Sequence, residues 1–171
     1  MEPLPVLRLH PGREKALERH HPWVFSGAIA RMEGSPADGD LVRIADAEGR
    51  IRAVGHYQAS SIAVRILAYE DRSIDLAFYL ERFQQALAKR RLLGLLDNPR
   101  TNCFRWVHGE GDQLPGLIVD VYDEVAVVQC HSIGMFRQRE LLVEALENAL
   151  PGRLRGIYSK SAASLPSNFA K

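Results

Sequence analysis

The hydrophobic period of this chain changes once, at Ser73, and that change limits what each part can fold into. Upstream, apolar residues alternate or come in short runs broken by turns. Leu41-Val42-Arg43-Ile44 and Ile51-Arg52-Ala53-Val54 flank Asp46-Ala47-Glu48-Gly49 as two strands flank a hairpin loop. Ile62, Val64 and Ile66 alternate with Ala63, Arg65 and Leu67, which is strand periodicity. A compact charged helix is predicted over Arg13 to Arg19, closed by His20-His21-Pro22 because the residue before proline avoids the helical region. Gly34 to Asp40 has loop chemistry. Several short strands with one small helix predict a compact, partly closed β-barrel over residues 1–72.

From Ser73 the spacing becomes helical. Leu76, Tyr79, Leu80, Phe83 and Leu87 follow three-and-four intervals, with Ser73 as the candidate N-cap and Asp75 in the first turn. The helix should end between Gly94 and Pro99. Phe104 to His108, Leu117 to Val121 and Glu124 to Cys130 then read as strands, the last two joined at Tyr122-Asp123. Leu142, Ala145, Leu146 and Ala149 mark a second helix stopped by Pro151-Gly152, and Gly156 to Ser159 reads as a fourth strand. The order strand-strand-strand-helix-strand makes residues 73–171 a small α+β domain. Its tail, Ala162 to Lys171, is small, polar and aperiodic, the composition of a linker.

Composition excludes several classes. With 46% hydrophobic and 25% charged residues the chain suits a globular protein, and its longest apolar runs fall well short of a bilayer span. No basic segment followed by an apolar one opens the sequence, so a secretory signal is not predicted, and Cys103 and Cys130 form neither a metal-type pair nor a disulfide framework. A reducing cytoplasm fits best. Net charge is +1, but it is segregated: six bases against one acid between Arg82 and Arg105, five acids and no base between Glu110 and Glu124. Such segregation either sets up a field that a polyanion would feel or forms a solvated helix face followed by acidic turns.

Two phrases carry more information than any amphipathic pattern: His21-Pro22-Trp23-Val24-Phe25-Ser26-Gly27-Ala28-Ile29 and His108-Gly109-Glu110-Gly111-Asp112-Gln113-Leu114-Pro115-Gly116-Leu117-Ile118-Val119-Asp120. In the second, His108, Glu110 and Asp112 invite a metal reading, but Gly109 and Gly111 argue against an extended shared face, and no second cluster completes a ligand shell. A paired-carboxylate hydrolase there has no evident nucleophile or oxyanion donor. Gly109-Glu110-Gly111 lacks the third glycine and the following helix of a nucleotide loop, so it reads as a structural turn. Cys130, late in a strand, reads as a buried structural cysteine.

The first phrase, with Arg13 to Lys15, Arg19, Gly39-Asp40-Leu41-Val42 and Gly55-His56-Tyr57 through Ser60-Ser61-Ile62, resembles a PUA domain. Order and spacing are similar to the PUA domain of the bacterial large-subunit (23S) ribosomal RNA cytosine-C5 methyltransferase family. The second phrase, with Tyr122 and Gln129, resembles the central domain of the same family. The resemblance implies a PUA-like β pseudobarrel that binds structured RNA, then an α+β domain. It also implies a Rossmann-like methyltransferase domain beyond this chain, which would hold S-adenosylmethionine and supply the catalytic cysteine. By the same resemblance the acidic loop around Glu110 would face that further domain. On this reading the 171 residues contain no catalytic, cofactor-binding or metal-binding residue, and their partner is ribosomal RNA rather than a membrane.

Within that resemblance, Arg13, Lys15 and Arg19 are the candidate phosphate contacts. Gly27 would admit a nucleic-acid backbone, and Ser26 or His21 would bond a phosphate or a 2′-hydroxyl. Trp23 and Phe25 are expected in the barrel core. Arg52, His56 and Arg65 rank second: Arg65 either reaches RNA from the outer strand face or is merely solvated, and His56 either stacks on a base or caps a turn. Three other readings remain open: a stand-alone PUA adaptor without catalysis, a methyltransferase with another RNA target, and a protein-interaction domain whose PUA fold has lost RNA binding.

Overall fold

A computed structural model describes residues 3–165, which divide into two compact units, Met1–Ser73 and Ile74–Lys171. The chain is mixed α+β. The first unit runs β1 (Val6–Leu9), α1 (Lys15–Glu18), β2 (Trp23–Phe25), a 3-10 turn (Ser26–Ala28), β3 (Ile29–Glu33), β4 (Leu41–Ala45), β5 (Ile51–Tyr57) and β6 (Ile62–Ala68). Its six strands form one curled sheet in the order β2-β6-β5-β4-β1-β3. The β1/β4 pair is parallel and the others antiparallel. Register slips at Arg8/Leu9, Val24/Phe25, Ile44/Ala45 and Val54/Gly55 are the kind of irregularity that bends and twists a sheet, which is how strands this short wrap a core. Leu7, Leu9, Val24, Val42, Ile44, Val64 and Ile66 fill the inside of the curl, and Leu17 of α1 packs into it.

The hairpin predicted around Asp46 is formed by β4 and β5, and Asp46 itself closes the loop. Its buried carboxylate accepts from the Arg50 backbone N–H and from Arg50 Nε, each at 2.9 Å. Burial opposes ionisation there, but these bonds and Arg52 nearby hold the carboxyl below its ordinary range. Gly55 of β5 is required by a close approach: a Cβ at that position would lie 2.3 Å from the Arg65 carbonyl oxygen.

The second unit runs α2 (Leu76–Leu92), β7 (Cys103–His108), a 3-10 turn (Gly109–Asp112), β8 (Leu117–Tyr122), β9 (Val125–Cys130), α3 (Ile133–Arg137), α4 (Arg139–Ala149) and β10 (Gly156–Ser159). The strands lie in the order β10-β9-β8-β7, with β10 parallel to β9 across the helical connection. Phe78, Tyr79, Phe83, Ala86 and Leu87 of α2 are buried. Trp106 Nε1 donates to the Phe83 carbonyl at 3.0 Å.

Three expectations need correction here. Asp75, not Ser73, caps α2: its side chain accepts from Phe78 N at 3.0 Å, and Asp75 is the last residue in extended conformation. The predicted single helix before β10 is two, because Ser132 starts an additional short helix by accepting from Met135 N. The start of the tail is packed rather than free: Ser164 Oγ donates to the Cys130 carbonyl at 2.8 Å, and Leu165 is buried. Residues 166–171, the rest of the segment read as a linker, lie outside the described residues. Among the described residues no helix is long and apolar enough to cross a membrane.

Candidate nucleic-acid interface

Helix α1 is a single turn, and its closure positions the segment after it. His20 takes φ +54°, its N–H and that of His21 donate back to Leu17 and Ala16 (each 2.9 Å), and Tyr69 Oη donates to the His20 carbonyl at 2.8 Å. The chain thus turns sharply into His21. The His21 ring is pinned in turn: Nδ1 lies 3.0 Å from the Trp23 carbonyl oxygen and 3.3 Å from the Trp23 nitrogen. Strand alternation does the rest, because only Val24 of β2 points into the core.

Trp23 and Phe25 therefore leave the core side, contrary to the expectation that both are core residues. Trp23 is half-buried, and Phe25 is 48% exposed. The rings of His21, Trp23 and Phe25 cluster, with centroids 5.8 Å (His21–Trp23), 6.0 Å (His21–Phe25) and 6.4 Å (Trp23–Phe25) apart. They border a cleft of about 320 Å³ between α1 and β2 that Arg13 and Gly27 also line.

The charges in and around α1 are asymmetric in use. Glu14 accepts from Gly12 N at 3.1 Å, and Glu18 faces Arg52 at 3.7 Å. Arg13, Lys15 and Arg19 are exposed, and none of the three has a side-chain partner among the described residues. Gly27 is not demanded by the fold. Its φ is ordinary, and an added Cβ would meet nothing within 4 Å. Ser26, exposed beside it, donates its backbone N–H to the Ser61 carbonyl at 2.9 Å. The structure thus brings Arg13, His21 and Gly27 together around two aromatic rings, with Lys15 opening the adjoining single-turn helix, Arg19 just past its end and Ser26 on a separate face beside Gly27.

The second-rank residues lie elsewhere. Arg52 is tied between Asp46 (3.6 Å) and Glu18 (3.7 Å), which makes it a brace of the hairpin loop. Arg65, half-buried, pairs across β6 with Trp23 on one side and His56 on the other, and its guanidinium reaches Gln58 at 3.4 Å. His56 is not placed to stack on a base, as one expectation had it: it is 2% exposed, and among the described residues neither ring nitrogen has a hydrogen-bond partner. Burial, with Arg65 nearby, pushes its pKa down to about 4.

The glycine-rich turn of the second unit is an internal joint. Asp112 accepts from both Arg90 terminal nitrogens (2.7 and 2.6 Å), from His108 N (2.8 Å) and from Lys89 (3.2 Å). Burial works against its ionisation, but the Arg90 fork and the His108 N–H hold the carboxyl below its ordinary range. No group of three metal-ligating side chains occurs among the described residues. The bases counted between Arg82 and Arg105 are partly consumed as well, since Arg105 forks onto Asp120 at 2.7 and 3.0 Å. Cys130 is buried, and burial raises its thiol to about 11.

Residues 7–69 match the PUA-like domain family. Over 145 residues, 84% of this chain and 36% of the relative, the sequence is 43% identical to a protein named ribosomal RNA large subunit methyltransferase I from Alteromonas mediterranea (strain DSM 17117 / CIP 110805 / LMG 28347 / Deep ecotype). A protein of the same name from Escherichia coli (strain SMS-3-5 / SECEC) is 42% identical over 147 residues, 85% of this chain and 37% of the relative. The chain therefore spans little more than a third of the length of these curated relatives. A solved structure described as a putative SAM-dependent methyltransferase from Streptococcus mutans shares the fold, with a TM-score of 0.78 at 17% identity over 91% of this chain and 40% of that one.

Proposed function

We propose, from the premise that this chain carries a PUA-like domain and is homologous to the ribosomal RNA large subunit methyltransferase I proteins, that it is the RNA-binding portion of a ribosomal RNA methyltransferase. The reaction of the whole protein would be transfer of a methyl group from S-adenosylmethionine to C5 of a cytosine in large-subunit ribosomal RNA. The observation that carries RNA binding is the group Arg13, Lys15 and Arg19: three exposed cations with no side-chain partner among the described residues, at and around a single-turn helix beside an aromatic-lined cleft, while Glu14 Oε1 and Glu18 of the same segment have contacts of their own. Phosphate contacts of this kind supply affinity that is insensitive to sequence and sensitive to salt.

The described residues do not fit the methyl donor. A donor loop needs free backbone donors at a glycine turn leading into a helix, with an acid for the ribose. Here the Gly109–Asp112 turn leads into Leu114-Pro115, and its acid is held by Arg90. Nor does Cys130 suit attack on C6 of a pyrimidine, which needs a thiolate, because burial keeps its thiol protonated at neutral pH. The contribution of these residues is to bind and orient RNA.

Salt titration of binding to large-subunit ribosomal RNA tests the proposal. Lys15→Ala and Arg19→Ala should each weaken binding and lower the magnitude of the salt slope by about one. Binding that neither variant changes would place the RNA surface elsewhere, and the absence of salt-dependent binding would remove the function.

A further inference from the structure

The cleft beside α1 has a feature that phosphate binding does not require. Its walls are aromatic and aliphatic, with Arg13 and His21 as the ionisable groups in reach. A protein that reads only the outside of a duplex needs cations and hydrogen-bond donors on an open surface. It gains nothing from a recess flanked by Trp23 and Phe25, and leaving Phe25 48% exposed carries a hydrophobic cost.

We propose that this cleft receives the base of one unpaired nucleotide, stacked against Phe25 and Trp23, with Arg13 on the adjoining phosphate; the inference rests on the RNA-binding reading above. The recess, at about 320 Å³, lies in the size range of small-molecule sites. Bases inside an A-form helix are stacked and present no face, whereas unpaired bases can be splayed out onto aromatic side chains. An apolar peptide would fit the recess by shape but would leave Arg13, Lys15 and Arg19 uncompensated. A polyanion complements them.

Two further observations fit the same occupant. Gly27 lines the cleft, and no neighbour of its own chain comes within 4 Å of an added Cβ, so the space it leaves open is available to a ligand. His21 has Nδ1 engaged at the Trp23 backbone, which leaves Nε2 as the ring's polar atom for the nucleotide. With so few polar groups in the recess, recognition is of an unstacked base rather than of a particular base.

The test uses the full chain and two hairpin RNAs, one with a single bulged 2-aminopurine nucleotide and one fully paired, followed by fluorescence and by competition. The bulged RNA should bind more tightly, and its fluorescence should be quenched on binding. Phe25→Ala and Trp23→Ala should weaken its binding roughly 5- to 100-fold and abolish the quench, with little change for the paired hairpin. Phe25→Tyr should keep both properties, and Trp23→Phe, which retains an aromatic ring in a half-buried place, separates lost stacking from lost folding. Equal binding of the two RNAs, or affinity for the bulged RNA that the alanine variants leave intact, would overturn the inference and leave the cleft to an apolar partner. Failure of both RNAs to bind in a salt-dependent way would overturn the RNA-binding reading along with it.

Discussion

His56 holds a buried imidazole whose two nitrogens have no hydrogen-bond partner among the described residues, and the consequence is a pH dependence of stability. Its pKa is about 4 in the folded chain against an ordinary 6.5, so folding favours the neutral ring. Above pH 6.5 the ring is neutral in both states and makes no pH-dependent contribution. Between pH 6.5 and 4 the unfolded chain takes up a proton that the folded one refuses, so stability falls as the pH is lowered, by about 3 kcal/mol over the window. Denaturation at a series of pH values should show this loss, and His56→Leu should remove most of it. Two glycines make a second residue-scale contrast. Gly55→Ala puts a carbon 2.3 Å from a backbone oxygen and should destabilise by roughly 2 kcal/mol or more. Gly27→Ala meets nothing in the chain and should change stability by less than about 0.5 kcal/mol while weakening RNA binding. A melt that ranks them the other way would contradict the geometry at both positions. At this scale the sequence offered Arg13, Lys15, Arg19, His21, Ser26 and Gly27 as candidates for the proposed interface, and exposure of Arg13, Lys15, Arg19, Ser26 and Gly27 is compatible with that proposal. The face of Trp23 and Phe25 was not, because side chains of a three-residue strand change face with a one-residue shift of register.

At the scale of elements, α2 shows how position outweighs composition. Its last turn carries Lys89, Arg90 and Arg91, which reads as an electropositive end. Arg90 is instead committed to Asp112, with their side chains 11% and 3% exposed. Removing one partner strands the other charge in a nearly dry place. Arg90→Met should therefore destabilise the second unit by roughly 3 kcal/mol, with Lys89 retaining part of the interaction, and should leave RNA affinity unaltered. Urea titration of the variant checks this, and an unchanged midpoint would mean that water already screens the pair. The helix itself was legible from three-and-four spacing, and its cap was misplaced by two residues. Ser73 and Asp75 are both good caps, and the choice depends on which backbone N–H ends up within reach, here that of Phe78. Helix α3 escaped notice because five residues are too few to display a period.

For the whole chain, the expected outcome with S-adenosylmethionine rests on the turn at Gly109–Asp112. Adding the donor to the 171-residue protein should leave its thermal midpoint unchanged, as a calorimetric or fluorescence melt can establish; a ligand-dependent rise would reveal a donor site built in some other way. The mixed α+β class, strands β4, β5 and β6 of the first unit and the three-strand, helical connection and strand order of the second came from periodicity and turn residues, which are local properties; β1, β2 and β3, of three to five residues each, were too short to show a period. The family resemblance came from two phrases whose glycines, prolines and aromatics obey no period, which is why they could be matched at all. What the amino-acid order alone determined was thus where most of the longer strands and helices lie and which residues are candidates for the proposed RNA contact. The tertiary structure decided which of those residues are available. Pairing across the sheet turned Phe25 outward and buried His56, and the fold brought Glu18 to Arg52 and Asp112 to Arg90. Whether a side chain is spent internally or left for a partner depends on neighbours distant in sequence, and only the folded chain brings them together.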